Sequence, residues 1–228
     1  AAMVIEPLIM GAGGMRMTSD NYVKEVRRLT REYNVHLICD EIAVGFGRTG
    51  DMVVSTAVGV TPDFLCLSKG LTNGVMPMAV TLTTNQVYSA FYDDFEKEKT
   101  FYHGHTFTAN ALACAVANAS LDIFSDEHTI ENVKRIAPKI TMLMNQLDSE
   151  FSFVKEPRSI GMVGACNVYL DSERALFRLS QEAFRFGLTV RPLGSVIYLY
   201  LPLSTTSDEM DDISRRYIDL FLWAQKNL

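Results

Sequence analysis

Two polar residues each follow an apolar run, at positions where they could do chemistry together. Asp40 comes directly after the run at 35–39, and Lys69 follows the run at 63–67. A carboxylate can pair with a protonated pyridine nitrogen, and a lysine amine can form a Schiff base with an aldehyde. Because ligands gather at the carboxyl ends of strands in open parallel sheets, we expect Asp40 and Lys69 to face one crevice. Taken alone, Asp40 and Glu41 could instead form a solvated turn after a strand, and Lys69 could be a surface lysine before a glycine turn.

Three neighbouring motifs refine this interpretation. Gly70 and Gly74 follow Lys69 and would let the backbone approach a ligand closely. The glycines at 11–14 lack the GxGxxG spacing of a phosphate-binding loop, so they predict a turn. His103 and His105 could hold a metal from one side of a strand, but no third ligand is apparent nearby in sequence, so we predict no metal site.

The elements that must position these residues alternate between strand and helix patterns, which predicts an α/β fold with a mostly parallel sheet and helices on both faces. Helices are predicted at 20–33, 52–58, 110–124, 129–151, 173–186 and 207–227, and strands at 35–39, 63–67, 78–83, 162–170, around Val190 and at 196–201. This pattern divides the chain into a first domain at 1–125, a connecting helix within 126–158 and a small α+β domain at 159–228.

Composition excludes several classes of protein. The chain has 228 residues, 48% of them hydrophobic, which is enough for a substantial core. A net charge of -6 without a basic run argues against nucleic acid. No apolar run is long enough to span a membrane, and the four cysteines are scattered singly, so we expect a cytoplasmic protein with reduced thiols. The chain begins within an apparent strand, so we expect it to be a fragment.

Several motifs, in this order and spacing, carry a family resemblance: Asp40-Glu41-Ile42-Ala43, Gly45-Phe46-Gly47-Arg48-Thr49-Gly50, Lys69-Gly70-Leu71-Thr72 and His103-Gly104-His105-Thr106-Phe107. The chain resembles the class III aminotransferases over essentially its whole length. The resemblance implies the aspartate-aminotransferase fold, known as fold type I, with pyridoxal 5'-phosphate as cofactor. The chain would then be the C-terminal part of the large domain plus the small α+β C-terminal domain.

The resemblance also implies roles at the cofactor. Asp40 would pair with the ring nitrogen, and Lys69 would bind the cofactor covalently and move a proton during the reaction. His105 and Thr106 would approach the cofactor phosphate of a neighbouring subunit, which implies a homodimer with shared active sites. Arg48 would either orient the substrate or brace its loop.

Gly104, Arg191 and Tyr198 are the residues that the resemblance assigns to small-molecule substrates. Arg191 would bind a substrate carboxylate through its planar guanidinium group. The competing interpretation of Arg191 is a surface residue between strands. The resemblance assigns no residue to a metal, a nucleic acid or a membrane.

A narrower resemblance, to the biotin-pathway members of the class, rests on residues 11–17, 115–121 and 190–194 with 197–199. These members transfer the amino group of S-adenosylmethionine to 8-amino-7-oxononanoate, giving 7,8-diaminononanoate. Ala12 agrees with this branch, since glutamate-using members carry Glu at that position. His105 departs from it, because that position is commonly proline. Two alternatives stay open: another omega-aminotransferase, or an inactive fold fragment that lacks the N-terminal part of the cofactor site.

Overall fold

The computed structural model describes all residues from 1 to 228 and divides them into two compact units. The first unit comprises Ala1–Leu8, Thr18–Phe46 and Met52–Glu127, and the second comprises Ile9–Met17, Gly47–Asp51 and His128–Leu228. The strands are β1 (Ala2–Ile5), β2 (Ile9–Met10), β3 (Arg16–Met17), β4 (His36–Asp40), β5 (Phe64–Leu67), β6 (Val80–Thr83), β7 (Val154–Ile160), β8 (Val163–Val168) and β9 (Val196–Tyr200). The helices are α1 (Asp20–Glu32), α2 (Val54–Ala57), α3 (Asn85–Ser89), α4 (Ala111–Asp126), α5 (Thr129–Glu150), α6 (Ala175–Ala183) and α7 (Ser207–Asn227).

The first unit is built on one four-stranded sheet with the order β1-β4-β5-β6. β4 runs parallel to both β1 and β5, which confirms the predicted parallel core of the sheet. The strand predicted at 78–83 is present as β6, but it pairs with β5 antiparallel. β1 and β6 form the two edges, and β1 leaves Val4 62% exposed. Because the two central strands, β4 and β5, run parallel, their carboxyl ends lie at the same end of the sheet.

An ion pair fixes the opposite ends of these central strands. Arg27 of α1 donates two hydrogen bonds to the Asp63 carboxylate, at 2.7 and 3.1 Å, and the Leu37 N–H donates a third at 2.7 Å. Burial alone would raise the pKa of Asp63, but these hydrogen bonds outweigh it and hold that pKa below its ordinary value. Since Asp63 directly precedes β5 and Leu37 lies in β4, the pair ties α1 to both strands.

The second unit holds a three-stranded antiparallel sheet, in the order β7-β8-β9, whose apolar side chains pack with α5, α6 and α7. Its core includes Phe151, Leu179, Ile197 and Phe221, each at most 2% exposed. The glycine turn predicted at 11–14 is confirmed: it joins β2 to β3, and the Met15 N–H donates to Gly11 O at 3.0 Å.

The closing helix begins and ends as predicted, at Ser207 and Asn227. Its start is set by a capping box, in which the Thr206 hydroxyl accepts the Glu209 N–H and the Glu209 carboxylate accepts the Thr206 N–H. One expectation is wrong, since there is no strand around Val190. The helix predicted at 129–151 is present as α5, which stops at Glu150, and β7, a strand that the sequence did not predict, starts at Val154.

The error in β7 has a physical cause. Pro157 argues against a regular strand, yet β7 is an edge strand, where a missing N–H is tolerated. A register shift between Lys155 and Arg158 places Glu156 at φ 55°, so the apolar alternation is interrupted.

The helices lack the combination of length and continuous apolar character that crossing a lipid bilayer requires.

Candidate functional site

Asp40 and Lys69 lie at the carboxyl ends of adjacent parallel strands. Asp40 is the last residue of β4 and pairs in register with Cys66 of β5. Lys69 follows β5 after one intervening residue, Ser68, and starts a single 3-10 turn at Lys69–Leu71. The structure therefore brings the two predicted cofactor residues to the carboxyl end of one sheet, within the first unit.

The Asp40 carboxylate is half-buried and uses only one oxygen within the protein. Its Oδ1 accepts the Ile42 N–H at 3.0 Å, and Oδ2 accepts no hydrogen bond. This arrangement fixes the side chain beside the strand end and leaves one anionic oxygen for a cationic N–H donor. A protonated pyridine nitrogen is a donor of that kind.

Glu41 has a different role from its neighbour, and the competing interpretation of a solvated turn is wrong for it. The side chain is completely buried, and its two oxygens accept the N–H groups of Val54 and Ser55, both at 2.7 Å. These are the first amides of α2, which has no capping side chain of its own. Glu41 therefore satisfies the helix start that lies next to the strand end. Sequence reasoning missed this role, because its partners lie more than ten residues away.

Lys69 stands in a left-handed backbone conformation at φ 44°, which is uncommon for a residue with a side chain. Its side chain is exposed and makes no hydrogen bond or ion pair within the protein. The residue before it, Ser68, is anchored by a 2.6 Å hydrogen bond from its hydroxyl to Met78 O. A primary amine without a partner, on a backbone held in a strained conformation, fits covalent attachment to an aldehyde.

The loop after Lys69 is held by contacts with Phe46 and Ser120. A Cβ added at Gly70 would lie 2.6 Å from Phe46 Cβ, so no larger residue fits there without a shift. From α4, the buried Ser120 hydroxyl donates to Gly70 O at 3.2 Å and accepts from Asn73 Nδ2 at 2.8 Å. Sequence reasoning also missed Ser120, since one serine in an Ala-rich helix gives no signal of such contacts.

The buried thiol beside the site is not a competing nucleophile. Burial raises the pKa of Cys39 to about 12, and the negative charge of Glu41 adds to the effect. Thiol reactivity requires the thiolate, so Cys39 stays inert near neutral pH. Cys39 therefore does not compete with Lys69 as a nucleophile at this end of the sheet.

The histidine segment lines a cavity of about 720 Å³ together with Ser68 and Met78. His103, Gly104 and His105 belong to its lining, whereas Thr106 and Lys69 do not. No group of three His, Cys, Asp or Glu side chains is arranged to hold a metal ion.

His105 is tied into its own turn. Its N–H donates to Thr108 Oγ1 at 2.9 Å, and its Nδ1 accepts the Phe107 N–H at 3.1 Å. Thr106 itself is exposed. The predicted phosphate-binding residues, His105 and Thr106, therefore sit on a locally ordered turn, and this turn presents the Thr106 hydroxyl to its surroundings.

The predicted substrate residues of the second unit flank a tight turn. Leu193 and Val196 exchange hydrogen bonds of 2.9 and 3.0 Å, with Gly194 between them at φ 60°. Arg191 and Tyr198 lie two residues outside this bridge, one on each arm. Arg191 is exposed, and Tyr198 is half-buried in β9 opposite Ala165 of β8.

Arg48 braces its loop within the second unit. Its guanidinium group lies 4.0 Å from the centre of the Tyr200 ring and donates to Leu201 O, while Arg48 O accepts the Met162 N–H at 2.9 Å. Burial lowers the pKa of Arg48, although Tyr200 acts in the opposite direction. A Cβ at Gly161 would lie 2.3 Å from Arg48 O, so the loop packs directly on that glycine. Of the two predicted roles, these contacts favour bracing.

Comparison with known proteins shows similarity over almost the whole chain. The family model described as Aminotransferase class-III matches residues 1–220. The chain is 43% identical over 222 residues to an adenosylmethionine-8-amino-7-oxononanoate aminotransferase of Geobacter sulfurreducens, covering 92% of the chain and 48% of that protein. It is 40% identical to the same enzyme of Aquifex aeolicus, covering 100% of the chain and 51% of that protein. The chain thus spans about half the length of these relatives.

Solved structures agree with these matches. The crystal structure of adenosylmethionine-8-amino-7-oxononanoate aminotransferase from Methanocaldococcus jannaschii superposes with a TM-score of 0.90 at 35% identity, over 99% of this chain and 54% of that one. An amine transaminase from an uncultivated Pseudomonas species, in a PLP-bound form, superposes with a TM-score of 0.92 at 31% identity, over 98% of this chain and 52% of that one. The predicted fold, a partial fold type I transaminase, is confirmed.

Proposed function

Because the chain belongs to the class III aminotransferase family, we propose that it supplies the cofactor-binding lysine and aspartate of a pyridoxal-phosphate-dependent aminotransferase. The observation that carries the proposal is the placement of Asp40 and Lys69 at the ends of adjacent parallel strands. Following the names of its relatives, the proposed reaction moves the amino group of S-adenosylmethionine to 8-amino-7-oxononanoate.

The residues present fit the cofactor. Pyridoxal 5'-phosphate supplies an aldehyde that condenses with amines and a protonated ring that takes up electrons. Asp40 Oδ2, which has no partner in the protein, would accept the ring N–H and keep the ring charged. Lys69 Nζ, equally without a partner, would hold the cofactor covalently.

Lys69 would also move the proton that the reaction requires. Once the amino donor displaces it, the lysine amine would take the proton from the donor carbon that bears the amino group and deliver it to the cofactor carbon that carried the aldehyde. Arg191 would orient the keto acid by its carboxylate, and Gly104 and Tyr198 are the other residues that we propose to contact the substrate. The Thr106 hydroxyl and the neighbouring His105 would contact the cofactor phosphate of a second subunit.

A homodimer with shared active sites is part of this proposal. The four most exposed aromatic side chains, Tyr92, Phe95, Tyr102 and Phe107, are 72 to 85% exposed and lie within residues 92–107, the stretch of sequence that contains the histidine segment. Aromatic surface of this extent is typical of a face that a partner covers.

Covalent trapping tests the proposal. The protein that carries these residues, purified from its natural source, is incubated with pyridoxal 5'-phosphate, reduced with borohydride and mapped by peptide mass. We expect the adduct at Lys69, and we expect Lys69→Ala to abolish it. Lys97→Ala, which removes an exposed lysine of the same unit, is the matched control and should keep full labelling. An adduct that persists in Lys69→Ala would overturn the assignment.

A second candidate keeps the chemistry and changes the amino donor. His105, where biotin-pathway members commonly carry proline, and the similarity to an amine transaminase both favour another omega-amino donor. The purified protein would be offered S-adenosylmethionine or simple omega-amines with 8-amino-7-oxononanoate as acceptor. Formation of 7,8-diaminononanoate only with S-adenosylmethionine supports the first candidate, and formation only with the amines supports the second.

A further inference from the structure

The loop that carries Lys69 is held by hydrogen bonds to a single buried hydroxyl group, that of Ser120. Ser120 lies inside α4 and is 4% exposed. Its Oγ donates to Gly70 O at 3.2 Å and accepts from Asn73 Nδ2 at 2.8 Å. Gly70 is the residue after Lys69, and Asn73 closes the same turn, so one side chain holds both ends of the loop.

The backbone of this loop needs such a restraint. Lys69 has φ 44° and Asn73 has φ 50°, both in the left-handed region. Residues with a side chain are disfavoured in that region, so the conformation of Lys69 persists only where the surroundings fix it. Phe46 also restricts movement of Gly70, since its Cβ lies 2.6 Å from where a Cβ on Gly70 would be.

We propose that Ser120 is a positioning residue for Lys69. The hydroxyl holds Gly70 against Phe46 and thereby fixes the direction in which the Lys69 side chain leaves the sheet edge. Nothing in the chemistry of transamination requires a serine on α4, and the role rests on the proposed function of Lys69. Ser120 acts through the loop and contacts neither substrate nor cofactor in this proposal.

The neighbouring contacts define which variants separate positioning from folding. Ser120→Ala removes both hydrogen bonds, whereas Ser120→Thr keeps a hydroxyl at the same place. Asn73→Gly removes one arm without straining the backbone, because glycine adopts positive φ freely. Ser125→Ala, a change at an exposed serine of the same helix, is the matched control.

The experiment measures borohydride trapping of pyridoxal 5'-phosphate at Lys69 in the full protein, as a function of cofactor concentration. It separates the half-saturating concentration, which reports binding, from the maximal rate, which reports the position of the amine. We expect Ser120→Ala to lower the maximal rate about 10- to 100-fold, with a small change in half-saturation. Asn73→Gly should lower it less, and Ser120→Thr should restore most of it.

The outcomes distinguish this inference from the proposed function. If the unmodified protein traps the cofactor at Lys69 and Ser120→Ala traps it at the same maximal rate, the positioning role is wrong while the function stands. If the unmodified protein forms no adduct at Lys69, both proposals are wrong. If Ser120→Ala fails to fold, the rate of Asn73→Gly decides, and a rate equal to that of the Ser125→Ala control overturns the inference.

Discussion

In the second unit, α5 and α7 pack with the sheet β7-β8-β9 around a continuous cluster of buried apolar side chains. In the first unit, the most exposed aromatic residues of the chain lie on the surface between residues 92 and 107. Order at the candidate site in the first unit comes instead from single polar contacts, such as those of Glu41 and Ser120. The comparison shows two ways of fixing structure: by shared apolar burial in one unit, and by individual hydrogen bonds around chemically active groups in the other.

The largest expected effect comes from the core of the second unit. Phe221 is completely buried, and its ring lies 5.6 Å from that of Phe151, so Phe221→Ala should cost about 3 to 5 kcal/mol of unfolding free energy. Urea unfolding followed by the fluorescence of Trp223, the sole tryptophan, reports on this unit. Leu222→Ala, at an adjacent residue that is 40% exposed, is the control and should change little.

Thiol labelling makes the same experiment a test of the comparison. Cys39 is buried in the first unit and Cys166 in the second. We expect Phe221→Ala to accelerate alkylation of Cys166 far more than that of Cys39, as measured by peptide mass. Equal acceleration at both thiols would show that the two units unfold together, which contradicts separate sources of order.

Variants of the adjacent carboxylates Asp40 and Glu41 test the hydrogen-bonded site of the first unit, and their expected effects on the free energy of unfolding are smaller than that of Phe221→Ala. Glu41→Gln places an amide donor against one of the α2 amides and should cost about 2 kcal/mol of unfolding free energy. Asp40→Asn keeps an oxygen for the Ile42 N–H, so it should change stability by less than about 0.5 kcal/mol. It should, however, weaken cofactor trapping at Lys69. Chemical denaturation and trapping, measured on both variants, would contradict the assignment if the two effects were reversed.

The smallest effect concerns pH. The pKa of Asp63 is lower in the folded chain than in the unfolded one, so its contribution is complete above an ordinary Asp pKa of about 4 and is lost as pH falls through the folded value. Asp63→Asn should therefore cost about 1 to 2 kcal/mol at pH 7, and progressively less below pH of about 4. Denaturation across this range measures it.

Asp212→Asn is the control for this titration. Asp212 pairs with Arg215 and Arg216 on the exposed face of α7. Exposed ion pairs contribute little to stability, so the control should show a small change at every pH. A pH-independent cost for Asp63→Asn would mean that the Arg27 pair does not account for the lowered pKa.

Sequence patterns predicted the elements whose signals are local. The closing helix was correct at both ends because its capping box lies within four consecutive residues, Thr206 to Glu209. The first helix began as predicted at Asp20, where the Ser19 hydroxyl accepts the Tyr22 N–H at 3.3 Å. The two strand ends that carry Asp40 and Lys69 were predictable for the same reason, since buried apolar runs precede both.

Features that depend on distant partners were not predictable. The capping role of Glu41 requires α2. The hydrogen bonds of Ser120 join it to Asn73 and Gly70, which lie 47 and 50 positions earlier in the chain. β7 was missed because a bulge and Pro157 disrupt its alternation, and the direction of β6 depends on how the chain returns to β5. In each case the deciding contact is tertiary, so no local pattern encodes it.

The open edge at β1 has a practical consequence for anyone producing these residues as a separate chain. β1 pairs with β4 on one side, and its other side presents a row of backbone donors and acceptors beside the exposed Met3 and Val4 side chains. Such an edge is a template for strand addition. Self-association in concentrated solution would therefore begin by sheet extension at β1. The substitution Val4→Lys should raise solubility and leave both compact units intact.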